Sequence, residues 1–278
     1  MQPVPGEAGN DPDDIVERIP DGKQGTRAAV VGFDTRVTEW PEDQVVVWRF
    51  TLDVSDDAIE PMRRLLAPEE IGRAERLRTE VLRSRFIAGR ATLRRILGRA
   101  LGVDPKRVEF AYGLRGKPAL EGISTLEFNL AHTGGSAVCA LSARGPLGVD
   151  IEAIRPMENA ERIIGRYFTP REQAEFLAHS PGSRLGAFYR GWTRKEAFLK
   201  ATGEGLAASL DSFEVSLAQD REDGGPLLLR VGDDPTAAGR WTLRDVNVGV
   251  DHAAALVIAG RLGSLVVTDW LHDETWSA

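Results

Sequence analysis

Two short stretches place acids and a lysine where they could handle a metal ion and a phosphoryl group. In Gly148-Val149-Asp150-Ile151-Glu152 the two-residue period of an extended chain turns Val149 and Ile151 to one face and Asp150 and Glu152 to the other. Two carboxylates about 7 Å apart repel unless water or a cation intervenes, and oxygen donors at that spacing suit Mg2+. On its own the pentapeptide reads as well as an exposed strand edge. In the second stretch Phe188, Trp192, Glu196 and Lys200 stand four apart and form one row on a helix. An exposed Glu196–Lys200 pair would be worth only a few tenths of a kcal/mol. A solvent-facing pair would not continue a row of aromatic side chains, so the row implies partial burial. A partly buried glutamate beside two other carboxylates calls for a metal. A lysine there can neutralise developing charge or move a proton.

Further candidates are weaker alone. Phe128-Asn129-Leu130-Ala131-His132-Thr133-Gly134-Gly135 puts a histidine and a threonine at a strand end, before two glycines that free backbone N–H groups to face an anion. Gly116-Lys117-Pro118 reads as a turn carrying one lysine. Gly203-Glu204-Gly205 lacks the strand-to-helix context of a dinucleotide fingerprint. Cys139 sits in an apolar strand and reads as core. Between Arg73 and Arg99 nine arginines face two glutamates, Glu75 and Glu80, and this local basic excess reads as a solvated helix face or an anion site.

These residues need a scaffold. Val45 to Leu52 is β-branched and aromatic and opens the folded part as a strand. Pro68 to Leu101 carries apolar residues at helical spacing and ends at Gly102. Strands are expected at 108–112, 126–130, 137–141 and 147–151, with Ser142 to Pro146 as a hairpin loop. A helical block runs from Ala160 through Leu177, and a third helix from Arg184 to Ala201. Strands follow at 213–217, 227–231, 241–248 and 253–258. The order gives an α+β chain of two halves, over 44–145 and 146–262, between an N-terminal tail at 1–43 and an extension at 263–278. The first 27 residues have no helical or strand period and read as disordered.

The 278 residues suffice for one large or two small domains. With 35 Lys and Arg against 42 Asp and Glu the net charge is −7, so general attraction to nucleic acid or an anionic membrane is not expected. One cysteine allows no internal disulfide, and no apolar run is long enough to span a bilayer. A polar, acidic start without an apolar signal core makes the cytoplasm the expected location.

Taken in order, GKP at 116–118, FNLAHTGG at 128–135, GVDIE at 148–152 and WTRKEAFLKATGEGL at 192–206 resemble the 4′-phosphopantetheinyl transferases of the surfactin type. The resemblance covers roughly residues 45 to 260. It implies a pseudo-dimer of two similar α/β halves with the active site in the cleft between them. It implies transfer of 4′-phosphopantetheine from coenzyme A to a serine of an acyl or peptidyl carrier protein, releasing adenosine 3′,5′-bisphosphate, in fatty-acid, polyketide or non-ribosomal peptide synthesis. Carried over by position, Asp150, Glu152 and Glu196 look like ligands of Mg2+ or Mn2+, with Glu152 or Glu196 as base for the serine. Lys200 looks like the lysine that assists the leaving group. Lys117 and His132 resemble contacts to the nucleotide end and the phosphates, and Arg85 and Arg90 the basic helix that meets the 3′-phosphate. Ala131 and Thr133 depart from the usual Ser-His-Ser, so the hydroxyl before the histidine is lost and its replacement must come from Thr133 or backbone N–H groups. A chain that builds its own cleft needs no second copy, so a monomer is expected.

Two other readings share these residues. A Mg2+-dependent phosphoryl or nucleotidyl transferase would use the same acids, but the sequence carries no GxxxxGK[ST] loop. A non-catalytic binder of coenzyme A or of a carrier would have no need of Asp150, Glu152, Glu196 and Lys200 together.

Overall fold

Alternation in the first strand, β1 (Gln44–Thr51), sends Val45 and Val47 to one face and Trp48 and Phe50 to the other, and a layer of the protein forms on each side. The computed structural model describes residues 40, 43–113, 116–122, 125–203, 209–220 and 225–272. The sequence expectation of a disordered stretch over the first 27 residues falls outside them. Within the expected tail Trp40 packs on the first core, its ring centroid 6.1 Å from that of Trp48.

After β1 come three helices, α1 (Asp56–Arg63), α2 (Pro68–Glu75) and α3 (Glu80–Leu101), then strands β2 (Phe110–Tyr112), β3 (Pro118–Leu120), β4 (Glu127–Thr133), β5 (Ser136–Ser142) and β6 (Leu147–Ala153). Helices α4 (Ala160–Tyr167), α5 (Pro170–Ala178) and α6 (Pro181–Thr202) follow. The described chain closes with β7 (Phe213–Val215), β8 (Leu228–Val231), β9 (Trp241–Asp245), β10 (His252–Ala259) and β11 (Ser264–Asp269). One sheet has the order β11-β1-β5-β4 and another β6-β10-β9; β2 pairs with β3, and β7 with β8. All neighbours are antiparallel except β1 and β11, which run parallel.

The two larger sheets face each other across a shared apolar layer in which Val45, Val47, Val138 and Ala140 meet Leu147, Val149, Ile151, Leu256 and Ile258. Helix α3 covers the outer face of the first sheet through Ile87, Ala91 and Leu97 against Phe50, Phe128, Cys139 and Leu141. Helix α6 covers the second through Ala197, Phe198 and Ala201 against Leu243, Ala255 and Val257, and packs on Phe213 of β7 as well. Both helices have 22 residues and end at a left-handed glycine, Gly102 or Gly203. The architecture is α+β.

Several expected elements differ. The helix expected over 68–101 is two helices, because Thr79 caps a fresh start by accepting from the Leu82 amide at 3.2 Å. The helical block from Ala160 through Leu177 breaks at Phe168, where Thr169 and Glu172 form a reciprocal capping box ahead of Pro170. Strand β9 stops at Asp245, short of the expected Val248. Helix α1 and strands β3 and β11 are additional; β3 is three residues long and α1 carries Pro61, so neither shows a clear period.

The basic helix face is also not wholly solvated. Arg94 is buried, and Glu70 bridges it at 2.7 Å and Arg90 at 2.9 Å. Both guanidinium groups lie over the Phe110 ring, and Arg94 donates to the Pro105 and Val108 carbonyls.

Candidate functional site

The alternation of β6 does position its acids. Val149 and Ile151 enter the layer between the sheets, while Gly148, Asp150 and Glu152 face α6. The register with β10 places Asp150 opposite Ala255 and Glu152 opposite Ala253, small residues on the neighbouring strand. On the helix, Phe188 and Trp192 stack with centroids 6.1 Å apart, and their row continues into Glu196 and Lys200 above β6.

Strand and helix meet backbone to backbone. A Cβ on Gly148 would lie 2.2 Å from the Ala197 carbonyl oxygen and 2.4 Å from the Ala201 nitrogen. Only glycine admits this approach, and it brings Lys200 Nζ to 2.6 Å from Asp150 Oδ1.

Asp150 is 5% exposed, and its second oxygen, Oδ2, is buried with no hydrogen-bond partner. An orphaned carboxylate oxygen in such a place is costly unless something else meets it. Burial pushes the Asp150 carboxyl up, against the attraction of Lys200. Burial alone would pull Lys200 down, but Asp150, with Glu196 and Glu152 behind it, holds the ammonium above the usual lysine range. Glu152 is pushed up to about 7 by burial and by the Asp150 charge, opposed by Thr133, Lys200 and Arg155. Glu196 is likewise pushed up to about 7 by burial, Asp150 and Glu152, opposed by Lys200. The three acids thus act on one another electrostatically, and their mutual repulsion is what a cation would relieve.

An oxygen-only donor set with an orphaned buried oxygen fits a hard divalent cation. Among the described residues no three metal-binding side chains are already gathered at one point, and Lys200 holds the other oxygen of Asp150.

The remaining residues from the sequence distribute as follows. Thr133 Oγ1 donates to Glu152 Oε2 at 3.0 Å, so the hydroxyl after His132 orients a carboxylate. His132 is exposed beside it at the end of β4. Lys117 Nζ donates to two backbone carbonyls, of Leu147 at 2.9 Å and of Lys200 at 2.8 Å. Arg85 forms a two-point pair with Asp53 at 2.7 and 3.0 Å. Arg90 is engaged by Glu70 and donates to the Tyr112 hydroxyl.

The glycine turn is demanded by packing on both sides. Gly134 has φ +54°, and a Cβ there would lie 3.2 Å from an Arg155 guanidinium nitrogen; a Cβ on Gly135 would strike the Asp53 carboxylate at 2.0 Å.

Sequence reasoning missed Asn129, whose Oδ1 accepts from the Val149 amide at 2.8 Å and ties β4 to β6. It missed Tyr189, whose hydroxyl donates to the Arg155 carbonyl at 3.2 Å and so fixes that arginine beside the turn. Asn129 lay within a quoted motif and had a signal: an amide side chain in an apolar strand must find a partner. Tyr189 had none.

A buried and two half-buried acids, an opposed lysine and a nearby arginine, Arg155, form a site suited to a phosphorylated substrate. The profile of the 4′-phosphopantetheinyl transferase superfamily matches residues 146–257, which span β6 through most of β10 and include all three acids and Lys200. The chain is 36% identical over 221 residues to the 4′-phosphopantetheinyl transferase HetI of a Nostoc species, covering 78% of this chain and 89% of that one. It is 30% identical over 167 residues to the 4′-phosphopantetheinyl transferase Sfp of Bacillus subtilis, covering 60% and 73%. The solved holo-[acyl-carrier-protein] synthase of Thermotoga maritima is 24% identical, and the match covers 42% of this chain and 63% of that one with a TM-score of 0.32. The chain belongs to the 4′-phosphopantetheinyl transferases, and it is an enzyme of that class. Among the described residues no helix is long and apolar enough to cross a membrane.

Proposed function

We propose that this chain transfers the 4′-phosphopantetheine group of coenzyme A to a serine hydroxyl of an apo acyl or peptidyl carrier protein. The products are the holo carrier and adenosine 3′,5′-bisphosphate. The two sheet-and-helix halves act as a pseudo-dimer with the substrate between them, a reading supported by their matching 22-residue helices.

The single observation that carries the proposal is Asp150 Oδ2, buried and unpartnered within reach of the charges of Glu152 and Glu196. Asp150, Glu152 and Glu196 would hold Mg2+, which when bound polarises a phosphoryl oxygen and offsets charge on the leaving group. The serine Oγ attacks the β-phosphorus as the bond from that phosphorus to the bridging oxygen breaks. Glu152 or Glu196, as its carboxylate, accepts the hydroxyl proton. Lys200, fixed by Asp150, sets a positive charge beside the departing bisphosphate. Thr133 keeps Glu152 in place. His132 and Arg85, at the rim, are the proposed contacts to the donor's phosphates.

The test is intact-mass analysis of a purified apo carrier incubated with this chain, coenzyme A and Mg2+, with a chelator control. A gain of one phosphopantetheine, about 340 Da from the composition of that group, lost on chelation, is the expected result. No gain across several carriers while coenzyme A still binds would replace the proposal with a binding-only role.

A further inference from the structure

The lysine of the Gly116-Lys117-Pro118 turn lies where β6 and α6 touch. The turn is built residue by residue to put it there. Gly116 takes φ +78°, in the left-handed region, and its amide donates to the Gly113 carbonyl at 2.8 Å. Pro118 then opens β3, where its missing N–H is tolerated at the first strand position. Between them the Lys117 ammonium reaches two carbonyls from different elements. Leu147 opens β6, three residues before Asp150. Lys200 is the residue whose own ammonium pairs with Asp150, and its carbonyl is among the last four of α6, which a helix cannot satisfy by itself. A cation at a helix C-terminus is favoured by the helix dipole as well. The same crossing is where Gly148 lets the two backbones approach, with Lys200 carbonyl carbon 2.9 Å from a Cβ placed there.

We infer that Lys117 is a positioning residue of the reaction: by clamping the start of β6 to the last turn of α6 it sets the Asp150–Lys200 pair, instead of contacting the nucleotide. The inference rests on the proposed transfer reaction for its kinetic test, and it also has a readout that does not. Burial draws the ammonium below the usual lysine range, with Glu127 pulling the other way, and the two carbonyls supply the partners a desolvated ammonium needs.

Lys117→Met and Lys117→Arg are to be compared with the unmodified chain in coenzyme A binding by calorimetry, in hydrogen exchange, and in steady-state transfer to an apo carrier. The expected result for Lys117→Met is a kcat reduced about 100-fold, the cost of displacing a reacting group by about 1 Å, with the dissociation constant and KM for coenzyme A unchanged. Exchange protection should fall in peptides covering 147–152 and 196–203 and nowhere else. Lys117→Arg, which still carries donors for two carbonyls, should recover part of kcat and serves as the test if the methionine variant does not fold. A rise in KM and dissociation constant for coenzyme A with kcat intact would make Lys117 a nucleotide contact and overturn the inference. Unaltered kcat with unaltered exchange would overturn it too. If the unmodified chain binds coenzyme A but transfers nothing, the reaction proposed above fails, and exchange at the crossing decides the clamp alone.

Discussion

Replacing Gly148 by alanine tests how closely the site depends on the contact between β6 and α6. The added methyl group would sit 2.2 Å from the Ala197 oxygen, 2.4 Å from the Ala201 nitrogen and 2.9 Å from the Lys200 carbonyl carbon. All three are backbone atoms, so no side-chain rotation relieves them; helix and strand must part by about 1 Å before the contacts become ordinary. Overpacking of this kind costs about 1–3 kcal/mol, and rigid backbone on both sides puts Gly148→Ala at the upper end. In a domain of this size, roughly 3 kcal/mol lowers the melting temperature by about 6–12 °C. The functional loss should be larger than the stability loss suggests. Lys200 now sits 2.6 Å from Asp150, and a displacement of about 1 Å breaks that alignment at a cost of about 100-fold in rate. Differential scanning fluorimetry and the carrier mass assay, run below the variant's melting temperature, separate the two effects. A folded variant with full transfer activity and an unchanged melting temperature would refute the backbone contact as the element that aligns the site.

Glu70→Gln removes the charge that Arg90 and Arg94 share and leaves a buried guanidinium without its counterion, so it should cost about 3–5 kcal/mol in denaturant unfolding; a loss below about 1 kcal/mol would contradict the bridge. Glu196→Gln removes an acid whose affinity for protons is higher folded than unfolded. Between pH 4.5 and about 7 the folded state therefore binds more protons, so stability falls as pH rises through this window, and above about 7 the ionised buried group opposes folding. With chelator present the variant should match the parent near pH 4 and exceed it by on the order of 2 kcal/mol at pH 8, and a difference that does not change with pH would dismiss the buried-acid account. Cys139 lies fully buried with its thiol pushed up to about 12, so it should resist alkylation at pH 8 in the native protein and react fully in denaturant.

Much of the site was legible because its geometry is local. The two-residue period of 148–152 and the four-residue row 188–200 each place a pair of chemical groups on one face without reference to the rest of the chain. Positions set by contacts across the sequence were not legible. Lys117 is a turn residue in the sequence, and its ammonium finds carbonyls 30 and 83 residues away. The arginines of α3 looked solvated because Glu70, on a neighbouring helix, could not be matched to Arg90 and Arg94 by local spacing. The two glycines after Thr133 read as freed amides, whereas the close approach of Asp53 and Arg155 is a sufficient reason for both. Helix ends were misjudged wherever a capping threonine interrupted an otherwise continuous period, at Thr79 and Thr169.

The parallel strand β11 bears on how the chain reaches this state. It is the last described strand, yet it lies beside the first, Ser264 against Gln44 through Asp269 against Arg49, with Trp270 buried among the side chains beneath α3. The first half therefore cannot complete its sheet from its own residues. During synthesis β1 presents an open edge, and its hydrogen-bonding groups stay unmatched until more than 200 further residues have emerged. The half that carries α3 is made first and closed last, so the window for mispairing on the ribosome is set by the time needed to translate the half that carries the acids.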